Sequence, residues 1–145
     1  MQNAECRIQN AECRIQNAEC RVQNAELGNM NMNNTIEIKS FDFAVRIVKL
    51  YRYLSEERKE YVLSRQVLRS GTSIGANVAE AQKAQSKADF NAKMNISLKE
   101  ANETYYWLKL LYKTDYILED AFRSMEKDID EIISILVSIC KQTNK

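Results

Sequence analysis

The stretch Leu68-Arg-Ser-Gly-Thr-Ser-Ile-Gly-Ala-Asn-Val-Ala-Glu-Ala81 gathers residues that could do chemistry: a guanidinium, hydroxyls, an amide and a carboxylate around two glycines. Farther along, Glu100, Glu103 and Thr104 precede the aromatic cluster Tyr105-Tyr106-Trp107. Gly71-x3-Gly75 superficially suggests a phosphate loop. The P-loop pattern is GxxxxGK[ST], however, and its lysine is missing here. At helical period, Gly71, Gly75 and Ala79 form one strip with almost no side chains. Glycine inside a helix costs about 1 kcal/mol relative to alanine, a cost that makes sense where another helix backbone approaches closely. A helix-packing strip of Gly71, Gly75 and Ala79 is therefore expected.

Around that strip stand Arg69, Ser73, Asn77 and Glu80. Asn77 and Glu80 are three residues apart, as are Glu100 and Glu103, so each pair lies on one helical face. Two readings stay open. One is a polar network across the second and third helices, with Arg69 balancing a carboxylate. The other is two solvated acidic faces. Carboxylates on a bundle could also hold iron, but di-iron bundles combine two Glu with two Glu-x-x-His motifs, and this chain has no histidine. No metal and no cofactor is expected. The same absence removes the commonest general base, and with it the Arg-x4-His motif of RNA-cleaving bundle toxins. Glycoside hydrolysis would need a sugar-sized cleft, which two carboxylates on a narrow bundle do not make. The chain reads as non-enzymatic, without catalytic residues or a small-molecule substrate.

The elements that carry these residues follow from composition. In 145 residues there is no proline and only three glycines, too few turn formers for a β-rich fold. Hydrophobic residues make up 45%, enough for one core. Ser40 is expected to cap a first helix whose apolar face carries Ala44, Ile47, Leu50, Tyr51 and Leu54. Ser55-Glu-Glu-Arg-Lys reads as a connection. A second helix is expected over residues 60–84, with Leu63, Val67, Ile74, Val78 and Ala81 in one stripe. Ser86 with Asp89 resembles a capping box and starts the third helix, which carries Phe90, Met94, Leu98, Ala101, Tyr105, Leu108 and Tyr112. Asp115-Tyr-Ile breaks the pattern. The fourth helix, residues 119–141, carries Phe122, Met125, Ile129, Ile132, Leu136 and Ile139 at spacings of 3 and 4. Short connections favour antiparallel neighbours, so residues 35–145 are expected to form an all-α, antiparallel up-down four-helix bundle.

Residues 1–34 read as a separate leader. QNAECRI, QNAECRI, QNAECRV and QNAE follow one another, with Ile8, Ile15 and Val22 alternating with Ala11, Ala18 and Ala25 in heptad fashion. Three heptads with alanine in half the seam bury little apolar surface. The seven-base unit CAGAATG, read through three frames, encodes Gln-Asn-Ala-Glu-Cys-Arg-Met, so a translated heptanucleotide repeat is the better account. Translation from Met30 or Met32 is a corresponding expectation, and Asn29 to Asn34 reads as a polar linker. Cys6, Cys13 and Cys20 fall in the repeat, and Cys140 falls on an apolar face. Their spacing matches no zinc site and suggests reduced thiols in the cytoplasm. The longest apolar run, Ile132 to Cys140, is far short of a membrane span.

LRSGTSIGANVAEA at 68–81, with SLKEANETYYWLKLL at 97–111, resembles the 23S rRNA intervening-sequence protein family over about Phe41 to Cys140. The resemblance implies a four-helix bundle forming a homo-oligomer, a ring of five, with no established activity. It is also similar in fold to accessory proteins of diversity-generating retroelements, which implies a reverse transcriptase and RNA or DNA as partners through a basic surface. Residues 1–29 hold three of the 21 Lys and Arg and four of the 20 Asp and Glu, leaving 18 basic and 16 acidic. That excess is too small for bulk attraction of nucleic acid. A local surface would draw on Arg46, Lys49, Arg52, Arg58, Arg65, Lys109 and Lys113, repeated by the symmetry of the assembly. A protein–protein interaction module that binds no nucleic acid is the alternative.

Overall fold

Long proline-free segments of helical period should make rods. The computed structural model of the chain, which describes residues 28–144, contains four of them. They are α1 (Gly28–Arg52), α2 (Leu63–Ala81), α3 (Lys87–Lys113) and α4 (Glu119–Thr143), with a short π-helical turn at Tyr53–Glu57. The heptad repeat and its three cysteines lie outside the described residues. A boundary between two units falls between Thr35 and Ile36.

Side-chain pairs give the direction of each helix in the second unit. Ile47 lies beside Gly71 and Ser40 beside Gly75, so α1 and α2 run antiparallel. Ser97 Oγ donates to Ile74 O at 2.9 Å, and Lys93 pairs with Glu80, which reverses α3 against α2. The Tyr112 and Phe122 rings stack 4.6 Å apart, and Asn91 donates to Thr143 O, which reverses α4 against α3. Lys39 with Glu131, and Arg46 with Asp128, close the circle from α4 back to α1. The fold is an antiparallel up-down four-helix bundle.

Local chemistry sets the connections. Lys59 and Asp115 take left-handed backbone (φ 55° and 65°), one at each of two turns. At the end of α3, Tyr116 N donates to Leu111 O and Asp115 N to Tyr112 O, a Schellman closure that uses aspartate where glycine is commonest. Arg58 ties the two turns together, donating to Tyr116 O at 3.1 Å above the Tyr116 ring. Ser86 caps α3 by accepting from Asp89 N at 3.0 Å, as its spacing predicts. The start of α2 is held by Glu60, whose carboxylate accepts from the backbone N–H of Val62, Leu63 and Ser64. Burial pushes the Glu60 carboxyl up, but these donors outweigh it and hold the group below the ordinary carboxylate range. So α2 begins at Leu63 rather than at Glu60, and it ends at Ala81 rather than at Ala84.

Two expectations for α1 are corrected. Ser40 does not cap the helix; it is 1% exposed, and its hydroxyl donates to Glu37 O. The helix begins not at Ser40 but at Gly28, so Asn29–Asn34, read as a polar linker, is helical. No proline or glycine interrupts residues 29–52, so nothing stops α1 from beginning well before Ser40. The buried stripe of α1 is Ile36, Ser40, Phe43, Ile47 and Leu50, continued by Leu54 in the π-helical turn, which places Phe43 inside and Ala44 and Tyr51 at its margin. On α3 the core positions are Met94, Ser97, Ala101, Thr104, Leu108 and Leu111, one step round from the expected face. Ser97 and Thr104 are tolerated there because each hydroxyl donates to a backbone carbonyl, of Ile74 and Glu100 respectively. The α4 stripe is buried as its spacing predicts.

Candidate interaction surfaces

Gly71 and Gly75 lie where α2 meets α1. A methyl group added at Gly71 would stand 2.6, 2.8 and 2.9 Å from Cγ1, Cγ2 and Cδ1 of Ile47. One added at Gly75 would stand 3.2 Å from the Ser40 carbonyl oxygen. Ala79 is corrected: it is exposed and does not extend this contact. Eight residues at 100° each overshoot two full turns by about 80°, which carries Ala79 around the helix and out to solvent.

The polar residues near the strip bond mainly within their own helices. Ser73 Oγ donates to Arg69 O at 2.6 Å, and Asn77 Nδ2 donates to Ser73 O at 2.7 Å. Trp107 Nε1 donates to Glu103 at 3.1 Å. Glu80 crosses to α3, but its partner there is Lys93, at 2.6 Å. Arg69, Glu100 and Glu103 share no hydrogen bond, yet they sense one another. Burial, then the Glu103 charge, raises the Glu100 carboxyl above its ordinary value, and Arg69 opposes the rise. The tie between α2 and α3 therefore runs through Lys93 and Ser97. Both were legible as helical residues, but nothing in their spacing marked them as cross-helix partners.

The candidate basic residues fall into separate groups. Arg46 is committed to the fold, donating to Asp128 and to Ser124 Oγ on α4. Arg58 is committed to the Tyr116 turn. Lys49 and Arg52 are exposed on α1, and Arg65 and Arg69 are exposed on α2. Lys109 and Lys113 lie on α3 near the rings of Tyr105 and Tyr112, at 4.7 and 5.4 Å from the centroids. Tyr105 donates to Glu126 of α4, which places Lys109 on the α4 side of α3, away from Arg65 and Arg69. A single chain thus presents several basic patches rather than one belt.

A second stripe on α1 was missed. Ile38, Phe41, Val45 and Val48 follow at spacings of 3, 4 and 3, opposite the buried stripe, and are 61%, 67%, 40% and 36% exposed. The signal was present as helical spacing, but one helix carrying two apolar stripes is read as one until burial separates them. An apolar run of this kind on a bundle exterior is characteristic of an interaction surface. The groove beside it, between α1 and α4, is lined by Lys39, Asp42, Phe43, Asp128, Glu131 and Ile132 and encloses about 170 Å³. Small-ligand pockets are larger, from about 300 Å³ upward. Among the described residues, no three His, Cys, Asp or Glu side chains gather where they could hold a metal ion, and no helix is long and apolar enough to cross a membrane.

No match is found among curated proteins. A crystal structure of a protein of unknown function from the S23 ribosomal protein family of Bacteroides thetaiotaomicron is 56% identical. Its alignment covers 76% of this chain and 98% of the other, with a TM-score of 0.75. The model of the 23S rRNA-intervening sequence protein family matches residues 32–138. That match takes in all of α2 and α3 and most of α1 and α4, and the chain belongs to the 23S rRNA-intervening sequence protein family.

Proposed function

We propose that this chain is a non-enzymatic, self-associating bundle that acts as a scaffold or as an accessory protein to nucleic acid. The observation that carries the reading is the exposure of Ile38 and Phe41, 61% and 67%, on a helix whose opposite face is already buried. Leaving large apolar side chains in water forgoes roughly 1.5–3 kcal/mol each, which association of copies recovers in part. A ring of five is the size that the resemblance implies.

Nucleic acid, or a reverse transcriptase that carries it, is the partner we propose for the assembly. Support comes from Arg65 and Arg69, which are exposed and form no ion pair among the described residues, and from Lys109 and Lys113 beside aromatic rings. Each patch is small, so useful affinity requires repetition of the patch by symmetry. The test has two arms. Light scattering reads the mass of the full chain, and titration with RNA and with DNA across a salt series reads the charge contribution. The expected outcome is a multi-copy mass and binding that weakens as salt rises. A monomer at every concentration sinks the assembly. Binding that ignores salt, or that never appears, sinks the nucleic-acid role and leaves a protein–protein module.

A further inference from the structure

Charge is unevenly divided among the helices. Residues 63–113, which form α2, its connection and α3, carry eight basic and four acidic side chains, whereas α4 carries three and six. A polyanion is therefore drawn to the α2–α3 side of the bundle and not to α4. On that side one aromatic ring stands in water. Tyr106 is 56% exposed, and its ring meets that of Trp107 edge-on, with centroids 5.1 Å apart and planes at 77°. Trp107 is half-buried and is itself held, because its Nε1 donates to Glu103. Tyr106 thus has a fixed support behind it and most of its surface free.

The register of the two helices sets cations beside that ring. Ser97 meets Ile74 and the helices run antiparallel, so Arg65 falls level with Tyr106, and Arg69 level with Asn102. Arg65 and Arg69 are one turn apart, about 6 Å along α2 at 1.5 Å per residue, and α2 lies about 8–10 Å from α3. Lys99 is two turns before Tyr106 and within about 20° of it around α3 at 100° per residue. All three cations are exposed, and none forms an ion pair among the described residues.

We infer that this face takes unpaired nucleotides, with a base stacked on Tyr106 and the flanking phosphates paired with Arg65, Arg69 and Lys99. The inference rests on the nucleic-acid reading proposed above and names the form of strand. A duplex keeps its bases stacked on one another, so it offers its phosphates to the arginines but gives Tyr106 no base to meet. An unpaired strand offers both, and a base stacks on an aromatic ring whatever its sequence. Neither contact reads the 2′-hydroxyl, so single-stranded RNA and single-stranded DNA share the chemistry. Glu100 and Glu103 stand on the α2 flank of α3, where their charge opposes a phosphate, so one face alone binds weakly.

Anisotropy titrations of the full chain use a uridine homopolymer, a thymidine homopolymer and a duplex of equal length, with the fluorescence of Trp107, the sole tryptophan, read alongside. Wild type is expected to bind both homopolymers comparably, about tenfold more tightly than the duplex, with quenching of Trp107. Tyr106→Ala is expected to lose about tenfold for the homopolymers and nothing for the duplex, while Tyr106→Phe keeps wild-type binding. Arg69→Ala is expected to weaken binding of all three and to lower the salt slope by about one. Both positions are exposed, and unchanged far-UV circular dichroism shows that the bundle is intact. If Tyr106→Ala holds the homopolymers as wild type does, if the duplex binds as tightly as they do, or if only one homopolymer binds, this inference is overturned while nucleic-acid binding stands. If wild type binds none of the three even at low salt, the reading beneath it fails as well.

Discussion

Replacing Gly71 by alanine tests the central packing argument, because two effects of similar size oppose each other there. Alanine in a helix interior gains about 1 kcal/mol over glycine. Against this, the new methyl would lie 2.6, 2.8 and 2.9 Å from three carbons of Ile47, closer than carbon atoms pack. Ile47 is fully buried, and its β-branched side chain has few rotamers, so it cannot swing aside. Overpacking of this kind costs typically 1–3 kcal/mol. Gly71→Ala is therefore expected to destabilise the bundle by about 1 kcal/mol net. Ile47→Ala removes all three clashing carbons and by itself costs about 2–5 kcal/mol as a cavity. In that background the Gly71 methyl has room, the helix gain is realised, and the same substitution becomes stabilising by about 1 kcal/mol. The sign should reverse, with a coupling near 2 kcal/mol, within the range seen for residues in contact. Urea unfolding followed by circular dichroism, at one protein concentration throughout, measures all four corners of the cycle. If Gly71→Ala stabilises both backgrounds equally, α1 does not press on α2 at this point and the packing argument fails.

Glu60→Gln is expected to destabilise by about 1 kcal/mol at neutral pH, the usual worth of an N-terminal helix cap. The Glu60 carboxyl is held below its unfolded value of about 4.3, so its contribution is complete above that pH and fades as pH falls through the lower folded value. Wild type and variant should converge in acid, and a gap that persists there would disprove the assignment. Glu100 has the opposite sign. Its raised carboxyl costs stability as pH climbs above about 4.3, so Glu100→Gln should stabilise at neutral pH by a few tenths of a kcal/mol. Arg69→Ala should then cost more beside Glu100 than beside glutamine, whereas equal costs would mean the two groups do not interact. For the basic residues, Arg46→Ala should lower stability by up to about 1 kcal/mol, through lost bonds to Asp128 and Ser124. Arg65→Ala with Arg69→Ala should leave the melting point nearly unchanged and flatten the salt dependence of RNA binding. An Arg46 variant that loses RNA binding with unchanged stability would reverse that division.

Helix number, order and direction were legible in the chain because they follow from local rules: no proline, few glycines, apolar residues at spacings of three and four, and a serine cap at Ser86. The α4 seam is the clearest case, since its six apolar positions keep spacings of 3 and 4 along the helix and are all buried. The glycine pair was legible for the same reason, as a local cost that needed a neighbour to explain it. Which neighbour was not legible. That Gly71 meets Ile47, that Ala79 turns away, and that Ser97 and Thr104 are buried while Tyr105 lies at the margin depend on how rods rotate about their axes when four are packed together. Rotation is decided by the summed fit of all contacts, not by any one segment. The two stripes of α1 show the limit most clearly. Spacing alone makes Ile38 and Phe41 as apolar as Phe43 and Ile47, and only the bundle, which has room for one face of each helix, leaves the other outside.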